Sequence, residues 1–220
     1  PEYMPSAYTM LDGHGHNNLG LLKLHLQQNA HITLIDPTPA LLDAKSRNDV
    51  YYSTDTHWNL AGGLAAYQVL IDTIRKDFPC IHPVREADFT INTFFNEEGD
   101  LARNCELEHI FRRKEYQLTF KNGSRQLHMP ESSALEIRYH QNDVTDCSNL
   151  KLLMFRDSYA NYLIPFLNLH FREATYVWSY DFLDELIENE KPDVVIFESL
   201  QRFMTYSLRI QNAERVVHNN

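Results

Sequence analysis

Apolar residues recur along the first eighty positions in patterns that are typical of helices and of buried strands. Leucines at helical spacing predict a helix over residues 19–29, and the apolar segment 31–36 predicts a short buried strand. A short helix over 38–45 and a strand over 50–53 are expected next. A longer helix over 59–78 is predicted, because these residues lie on one face at 3.6-residue spacing: Leu60, Leu64, Tyr67, Ile71, Ile74 and Phe78.

The last third of the chain alternates between strand and helix patterns. Strands are predicted over 151–155, 174–178 and 193–197. Helices are predicted over 159–167, where a proline should kink or shorten the helix, and over 182–189. Such alternation implies a parallel sheet with helices on both faces, which is a three-layer α/β fold.

Residues 80–150 have a different pattern, with more charges and short alternating apolar runs. The run 116–120 precedes Asn122-Gly123, a dipeptide that favours a β-hairpin turn. We therefore predict a small α+β insertion with weak strands. The chain is expected to be a single domain over 1–220, with a core of 1–79 and 151–203, an insertion of about 80–150 and a polar tail of 204–220.

Composition and charge exclude several classes of protein. The 220 residues are 43% hydrophobic and 23% charged, which indicates a folded chain rather than a disordered one. The net charge is −10, and no basic stripe is present to follow a phosphate backbone, so we expect no nucleic-acid partner. No apolar run reaches 18 residues, so no membrane span is predicted.

The three cysteines, Cys80, Cys105 and Cys147, do not form a disulfide framework or a Cys-x-x-Cys zinc motif. Three reduced thiols and one bridge with a spare thiol are both compatible with the sequence. Cys80 and Cys147 bracket the insertion, and a bridge between them would stabilise the chain by roughly 4 kcal/mol on the chain-entropy model. Cys105 could instead pair with either one.

Two segments with reactive side chains follow predicted strands, at the edge of a parallel sheet where active sites form. In the first, Asp55 and His57 point the same way if the backbone is extended, so the carboxylate can bind Nδ1 and leave Nε2 as a general base. In the second, Ser158 lies on the turn from strand to helix, where nearby N–H groups could stabilise an oxyanion. Polar loop surface and a helix N-cap are the alternative interpretations of these residues.

Neighbouring residues are candidates for binding substrate. Arg156 is expected either to bind an anionic sugar or to pair with Asp157 or a neighbouring acid. Asp157 itself would hold the turn by hydrogen bonds. Trp58 either packs the helix start or stacks on a sugar, and Tyr159 either faces the core or reaches the site. The segment 12–16, Asp-Gly-His-Gly-His, carries possible metal ligands, but its glycines favour a solvated loop, so we predict no metal site.

These motifs resemble a known family. Tyr51-Tyr52-x-x-Asp55-Thr56-His57-Trp58-Asn59-x-x-Gly62 resembles the Asp-x-His-Trp signature of the alginate O-acetyltransferase-like family, part of the SGNH hydrolase-like superfamily. The serine block follows the histidine block, which is the reverse of ordinary SGNH hydrolases and indicates a permuted order. Three further segments resemble the family: 96–102, Arg156-Asp157-Ser158-Tyr159, and Pro192 to Glu198 with Arg202.

The resemblance implies an SGNH hydrolase-like domain in which Ser158 is the nucleophile, His57 the base and Asp55 its orienting carboxylate. It implies an O-acetyltransferase or acetylesterase that acts on carbohydrate hydroxyls of an extracytoplasmic polysaccharide through an acetyl-serine, without metal or organic cofactor. The implied partners are a polysaccharide or oligosaccharide, an acetyl donor and a membrane-bound O-acyltransferase.

Two departures from the family pattern affect these expectations. The family has an earlier strand ahead of a Tyr-Pro-Glu stretch, and this chain begins near that stretch at Pro1-Glu2-Tyr3, so we expect an N-terminal truncation. We also expect no carbohydrate-binding module after residue 203, so that binding to a polymer would rest on the catalytic domain alone. An alternative of a different class is a non-catalytic polysaccharide-binding or scaffold protein of an exopolysaccharide modification or export complex.

Overall fold

The computed structural model describes residues 18–29, 32–123, 125–141 and 149–203. These fall into two compact units, one of residues up to Asp36 and from Leu200, and one of Pro37–Ser199. In the first unit, helix α1 spans Asn18–Asn29, as the leucine spacing predicted. The predicted strand over 31–36 is wrong for its described part, because residues 32–36 pair with no described strand and Ile32 is 62% exposed.

The second unit contains a four-stranded sheet in the order β3-β5-β4-β6. Strands β4 (Lys151–Arg156), β5 (Glu173–Trp178) and β6 (Val194–Phe197) are parallel, which confirms the predicted parallel core. Strand β3 (Glu136–His140) pairs antiparallel to β5 at one edge. Because β3 comes from the predicted insertion, that region supplies an edge strand to the main sheet.

Helices cover both faces of this sheet, as a three-layer fold requires. Helix α6 (Asp184–Glu190) packs on the face formed by Leu153, Phe155 and Val177. The short helix α5 (Ile164–Leu167) lies on the opposite face. There the Tyr176 hydroxyl donates to the side-chain oxygen of Asn168, the residue that follows α5, at 2.7 Å. The alternation of strands and helices in the sequence therefore identified the layers correctly.

Pro165 divides the helix that was predicted over 159–167. A 3₁₀ segment covers Ser158–Tyr162, and α5 covers Ile164–Leu167 with the proline in its first turn, where a missing N–H costs little. The predicted shortening is confirmed. As a result, Ser158 begins a tight 3₁₀ turn directly after β4.

Helix α3 (Leu60–Ile74) follows the loop that carries His57, and α2 (Thr38–Ala44) packs beside it. The Asn59 side chain caps α3 by accepting from the N–H groups of Ala61 and Gly62 at 2.9 and 3.0 Å. The five predicted apolar positions up to Ile74 are buried, which confirms the helical face, but the helix ends at Ile74 and does not reach the predicted Phe78.

The predicted strand over 50–53 is reduced to a single β-bridge between Tyr51 and Trp58. Two further backbone bonds, from Tyr52 N–H to His57 O and from Asn59 N–H to Val50 O, close the loop around it. The chain turns back on itself within eight residues, so no room remains for a longer strand. This closed loop carries Asp55 and His57.

Region 80–150 contains a second, two-stranded antiparallel sheet. Strand β1 (Phe89–Asn96) pairs with β2 (Arg113–Phe120), and α4 (Asp100–Asn104) lies between them in sequence. The hairpin predicted at Asn122-Gly123 is wrong, because the partner of β2 precedes it in the chain and β2 ends at Phe120. Strand pairing depends on distant residues, which the turn signal does not report.

Cys80 is disulfide-bonded and Cys105 is an exposed free thiol, which excludes three reduced thiols. Cys147, the possible metal ligands of 12–16 and the polar tail of 204–220 lie outside the described residues. Within the part of the chain that is described, no helix is both long and apolar enough to cross a membrane.

Candidate active site

His57 bridges two side chains from distant parts of the chain. Its Nδ1 lies 2.6 Å from Asp55 Oδ1, and its Nε2 lies 2.7 Å from Ser158 Oγ. The His57 backbone N–H also donates to Asp55 Oδ1 at 3.0 Å, which fixes the carboxylate against the loop. The structure thus brings the three predicted residues into a line of hydrogen bonds, with Nε2 able to accept the serine proton.

Contact between α3 and the 3₁₀ segment brings Ser158 to His57. Gly63 lies so close to this segment that an added Cβ would be 2.4 Å from the Tyr162 carbonyl oxygen. The helix that follows His57 therefore packs directly on the turn that begins with Ser158. Ser158 and His57 are partly exposed, whereas Asp55 is buried, so the Ser158 end of the hydrogen-bonded line faces solvent.

The second oxygen of Asp55 binds two donors that sequence reasoning missed. Arg113 Nη1 lies 2.9 Å from Asp55 Oδ2, and the Asp100 backbone N–H donates to the same oxygen at 3.2 Å. Burial alone would raise the pKa of Asp55, but the hydrogen bonds from His57 and Asp100 outweigh it and hold that pKa well below its ordinary value. Asp55 is therefore ionised at neutral pH.

Asp100 clamps the loop from its other side. Its carboxylate accepts from Thr56 N–H at 2.7 Å and binds the Thr56 hydroxyl. Gly99, at φ +125°, brings the chain so close that a Cβ would be 2.4 Å from Thr54 O. The segment 96–102, noted in the sequence only for its family resemblance, thus helps to hold Asp55 in place. Nothing in the sequence around Arg113 predicted its contact with Asp55.

Asp157 holds the serine turn, as predicted. Its buried side chain accepts from Tyr159 N–H at 2.8 Å, and its own N–H donates to Glu198 Oε2 at 3.0 Å. Burial, together with the charge of Asp157, raises the pKa of Glu198 to about 8. Because the Tyr159 N–H donates to Asp157, this group of the turn is already used and is not one of the N–H groups that could stabilise an oxyanion.

Arg156 does not lie where a bound sugar could reach it. The side chain is fully buried, with Nη2 donating to Ala134 O at 2.6 Å and Nη1 to Asn161 Oδ1 at 3.0 Å. Its guanidinium also lies 4.8 Å from the centre of the Trp178 ring. These contacts support a structural role in place of the predicted anion contact.

Trp58 and Tyr159, also predicted to contact substrate, are buried against each other. Trp58 Nε1 donates to Tyr159 O at 2.9 Å, and the Tyr159 hydroxyl binds Thr56 O. Both side chains are more than nine-tenths buried, so they pack the loop on the serine turn and do not offer a surface for a sugar.

One group of possible metal ligands occurs in the described residues: Asp55, His57 and Asp100, with ligand atoms within 4.8 Å of one another. Each carboxylate already accepts hydrogen bonds from protein donors on both of its oxygens. A cation would have to displace these donors. The arrangement is therefore that of a hydrogen-bonded network.

Comparison with known proteins gives one family match and several similar structures. The family described as "SGNH hydrolase-like domain, acetyltransferase AlgX" matches residues 16–135. No curated protein sequence matches the chain significantly.

Solved structures of three proteins share the fold at low sequence identity. A DHHW family protein from Eubacterium siraeum DSM 15702 has a TM-score of 0.64 at 15% identity, over 89% of this chain and 72% of that one. Bacillus cereus PatB1 has a TM-score of 0.54 at 18% identity, over 74% of this chain and 68% of that one, and a second PatB1 structure carries a sulfonyl adduct. The O-acetyltransferase domain of Pseudomonas putida AlgJ has a TM-score of 0.52 at 15% identity, over 89% of this chain and 72% of that one.

Proposed function

This chain belongs to the SGNH hydrolase-like acetyltransferase family of AlgX, and on that premise we propose that it transfers acetyl groups to, or removes them from, carbohydrate hydroxyls. The observation that carries the proposal is the placement of His57 within 2.7 Å of Ser158 Oγ and 2.6 Å of Asp55 Oδ1. A serine hydroxyl needs such a base to become a nucleophile at neutral pH. The non-catalytic alternative has no use for this alignment.

In the first half of the reaction, Ser158 Oγ attacks the carbonyl carbon of an acetyl ester while its proton moves to His57 Nε2. Asp55 stabilises the resulting imidazolium through Nδ1–H. When the C–O bond to the leaving group breaks, His57 gives that proton to the departing oxygen. The product is acetyl-Ser158 and a free alcohol.

In the second half, a hydroxyl group attacks the acetyl-serine and passes its proton to His57, which returns it to Ser158 Oγ as the bond breaks. A sugar hydroxyl as acceptor makes the chain a transferase, and water makes it an esterase. In both halves Ser158 carries the acetyl group and His57 carries the proton, so the proposed steps use no metal or organic cofactor.

The substrate and the setting follow from the family resemblance. We propose an extracytoplasmic polysaccharide or oligosaccharide as acceptor, an acetyl donor and a membrane-bound O-acyltransferase as the source of acetyl groups. The similarity to the O-acetyltransferase domain of AlgJ supports the acetyl group. Ser158 and His57 remain partly exposed, which is what approach by a large acceptor requires.

Hydrolysis of p-nitrophenyl acetate by wild type and by Ser158→Ala tests the proposal. We expect the variant to lose at least ~100-fold in kcat/KM, because no other group replaces the nucleophile. Ser53→Ala, at an exposed serine in the same loop as Asp55, is the matched control and should retain wild-type rates. Equal rates for wild type and Ser158→Ala would contradict the proposal and favour the scaffold alternative.

Covalent labelling gives a second readout that needs no turnover. A sulfonyl adduct is present in one structure of PatB1. We expect a sulfonyl fluoride to add one sulfonyl group to Ser158 in wild type and none in Ser158→Ala, measured by intact mass and peptide mapping. Product analysis with an acetyl donor and a sugar oligomer then separates acetyl transfer from hydrolysis.

A further inference from the structure

We propose that Arg113 is a positioning residue of the candidate active site, which holds the Asp55 carboxylate in the orientation that hydrogen-bonds His57. The inference rests on the proposed function, since positioning matters only if Asp55 and His57 act on Ser158. Arg113 lies 58 residues from Asp55 in sequence and begins strand β2 of the small sheet. Through Arg113, the two-stranded sheet of β1 and β2 contributes a side chain to the site that contains Asp55, His57 and Ser158.

The geometry of Asp55 divides its two oxygens between two tasks. Oδ1 faces His57, with contacts of 2.6 Å to Nδ1 and 3.0 Å to the backbone N–H. Oδ2 points away from His57 and is held by Arg113 Nη1 at 2.9 Å and by Asp100 N–H at 3.2 Å. Rotation of the carboxylate about its Cβ–Cγ bond would break contacts on both oxygens, so Arg113 opposes the motion that would remove Asp55 from His57.

The guanidinium is itself held rigidly. Its Nε donates to Glu115 Oε1 at 2.5 Å, Nη2 binds the Glu98 carboxylate, and its carbon lies 4.5 Å from the centre of the Tyr52 ring. The Tyr52 hydroxyl donates in turn to Glu115 Oε2 at 2.7 Å. With only 12% of its side chain exposed, Arg113 has little freedom to leave Asp55.

The charge of Arg113 should affect the protonation of His57, which a residue with a purely structural role would not change. A positive guanidinium beside Asp55 offsets part of the attraction that the carboxylate exerts on a protonated imidazole. Removal of that charge leaves more net negative charge near His57 and should favour its protonated form. The charged or titratable side chains packed around His57 and Arg113 are Asp55, Glu98, Asp100, Glu115, Tyr52, Tyr159 and Tyr162.

The test compares Arg113→Gln, Arg113→Lys and Arg112→Gln, the last a matched control at the exposed neighbouring arginine. For Arg113→Gln we expect kcat on p-nitrophenyl acetate to fall ~10–100-fold with KM little changed. Its acid limb of kcat/KM should move up by about one pH unit if Asp55 stays in place and only the neighbouring positive charge is lost, and should move down if Asp55 turns away from His57. Arg113→Lys keeps the charge and should leave the limb near wild type with a smaller fall in kcat, and Arg112→Gln should match wild type.

A kcat and an acid limb that both match wild type in a folded Arg113→Gln would overturn the proposal, whereas a lowered limb would report loss of the contact between Asp55 and His57. Circular dichroism with a thermal melt checks that each variant is folded. NMR titration of ¹⁵N-histidine-labelled protein, with the His57 signal identified by its loss in His57→Gln, gives the imidazole shift without any turnover. If Ser158→Ala leaves hydrolysis unchanged while the His57 titration still moves in Arg113→Gln, the proposed function fails and the placement of Arg113 stands. If hydrolysis depends on Ser158 but that titration does not change, the role of Arg113 fails and the proposed function stands.

Discussion

Burial decides which single residues near Ser158 can meet a ligand. Ser158 and His57 are partly exposed, whereas Arg156, Trp58 and Tyr159 are enclosed by backbone carbonyls and neighbouring rings. A buried Arg or Trp beside a reactive serine looks the same in sequence as an exposed one. Arg156, Trp58 and Tyr159 therefore support the turn, and a substrate of the proposed reaction would contact other residues on the exposed side of Ser158.

Replacement of Trp58 by Phe tests this conclusion at the residue scale. The phenyl ring keeps most of the packing, but the Tyr159 carbonyl loses the indole donor that now lies 2.9 Å away. We expect the free energy of unfolding to fall by about 1–3 kcal/mol, because a buried hydrogen bond and part of the indole packing are lost, with KM for an acetylated sugar unchanged. Urea unfolding and steady-state kinetics measure both; a raised KM at unchanged stability would restore the sugar-stacking interpretation.

At the scale of elements, the site is the junction of α3 with the 3₁₀ segment that follows β4. Glycine at position 63 permits the close approach, since any side chain there would meet the backbone of Tyr162. Asn59 caps α3 two residues after His57, so the position of the helix sets the position of the imidazole. The distance between His57 and Ser158 is thus a property of how two elements pack.

Gly63→Ala is predicted to weaken both stability and activity. Alanine is the better helix former by about 1 kcal/mol, so propensity alone would stabilise the variant. Because the new Cβ would lie 2.4 Å from Tyr162 O, overpacking should prevail and lower the free energy of unfolding by about 1–3 kcal/mol. Separation of α3 from the serine turn should lower kcat as well. Denaturant unfolding and esterase assays check this, and a stabilised, fully active variant would show that the contact is not limiting.

At the scale of the whole molecule, the pH dependence of stability depends on acids whose pKa changes on folding, and Glu198 is one of them. Glu198 lies against Asp157 at the base of the serine turn. Since burial and that neighbour raise the pKa of Glu198 to about 8 in the folded chain, from an ordinary value of 4.5, the folded state favours its protonated form. Its contribution to stability is complete below about pH 4.5 and is lost as the pH rises through about 8.

Glu198→Gln should remove this pH dependence, because the amide stays neutral while its oxygen can still accept from Asp157 N–H. Between pH 5 and pH 9 we expect wild type to lose on the order of 2–4 kcal/mol more unfolding free energy than the variant. Glu188→Gln, at an exposed glutamate in α6, is the control and should follow wild type. Parallel stability curves for wild type and Glu198→Gln would refute the prediction.

The single catalytic domain over 1–220 stays a prediction.

Local periodicity in the sequence determined the elements that fold by short-range rules. Helix α3, strands β4 and β5, and the break at Pro165 follow from apolar spacing and proline chemistry within a few residues. The pair Asp55 and His57 is predicted in the same way, because a two-residue spacing in an extended loop points both side chains to one side. Ser158 is predicted because it lies on a turn from strand to helix, and the structure brings it within hydrogen-bond distance of His57.

Only the tertiary structure decided which distant groups meet. The pairing of β2 with β1, the addition of β3 to the main sheet and the contact of Arg113 with Asp55 join residues that are far apart in the chain. Burial of Arg156 and Trp58, and the raised pKa of Glu198, depend on what packs around them. Periodicity carries no information about partners or desolvation, since both arise from the summed packing of the whole chain.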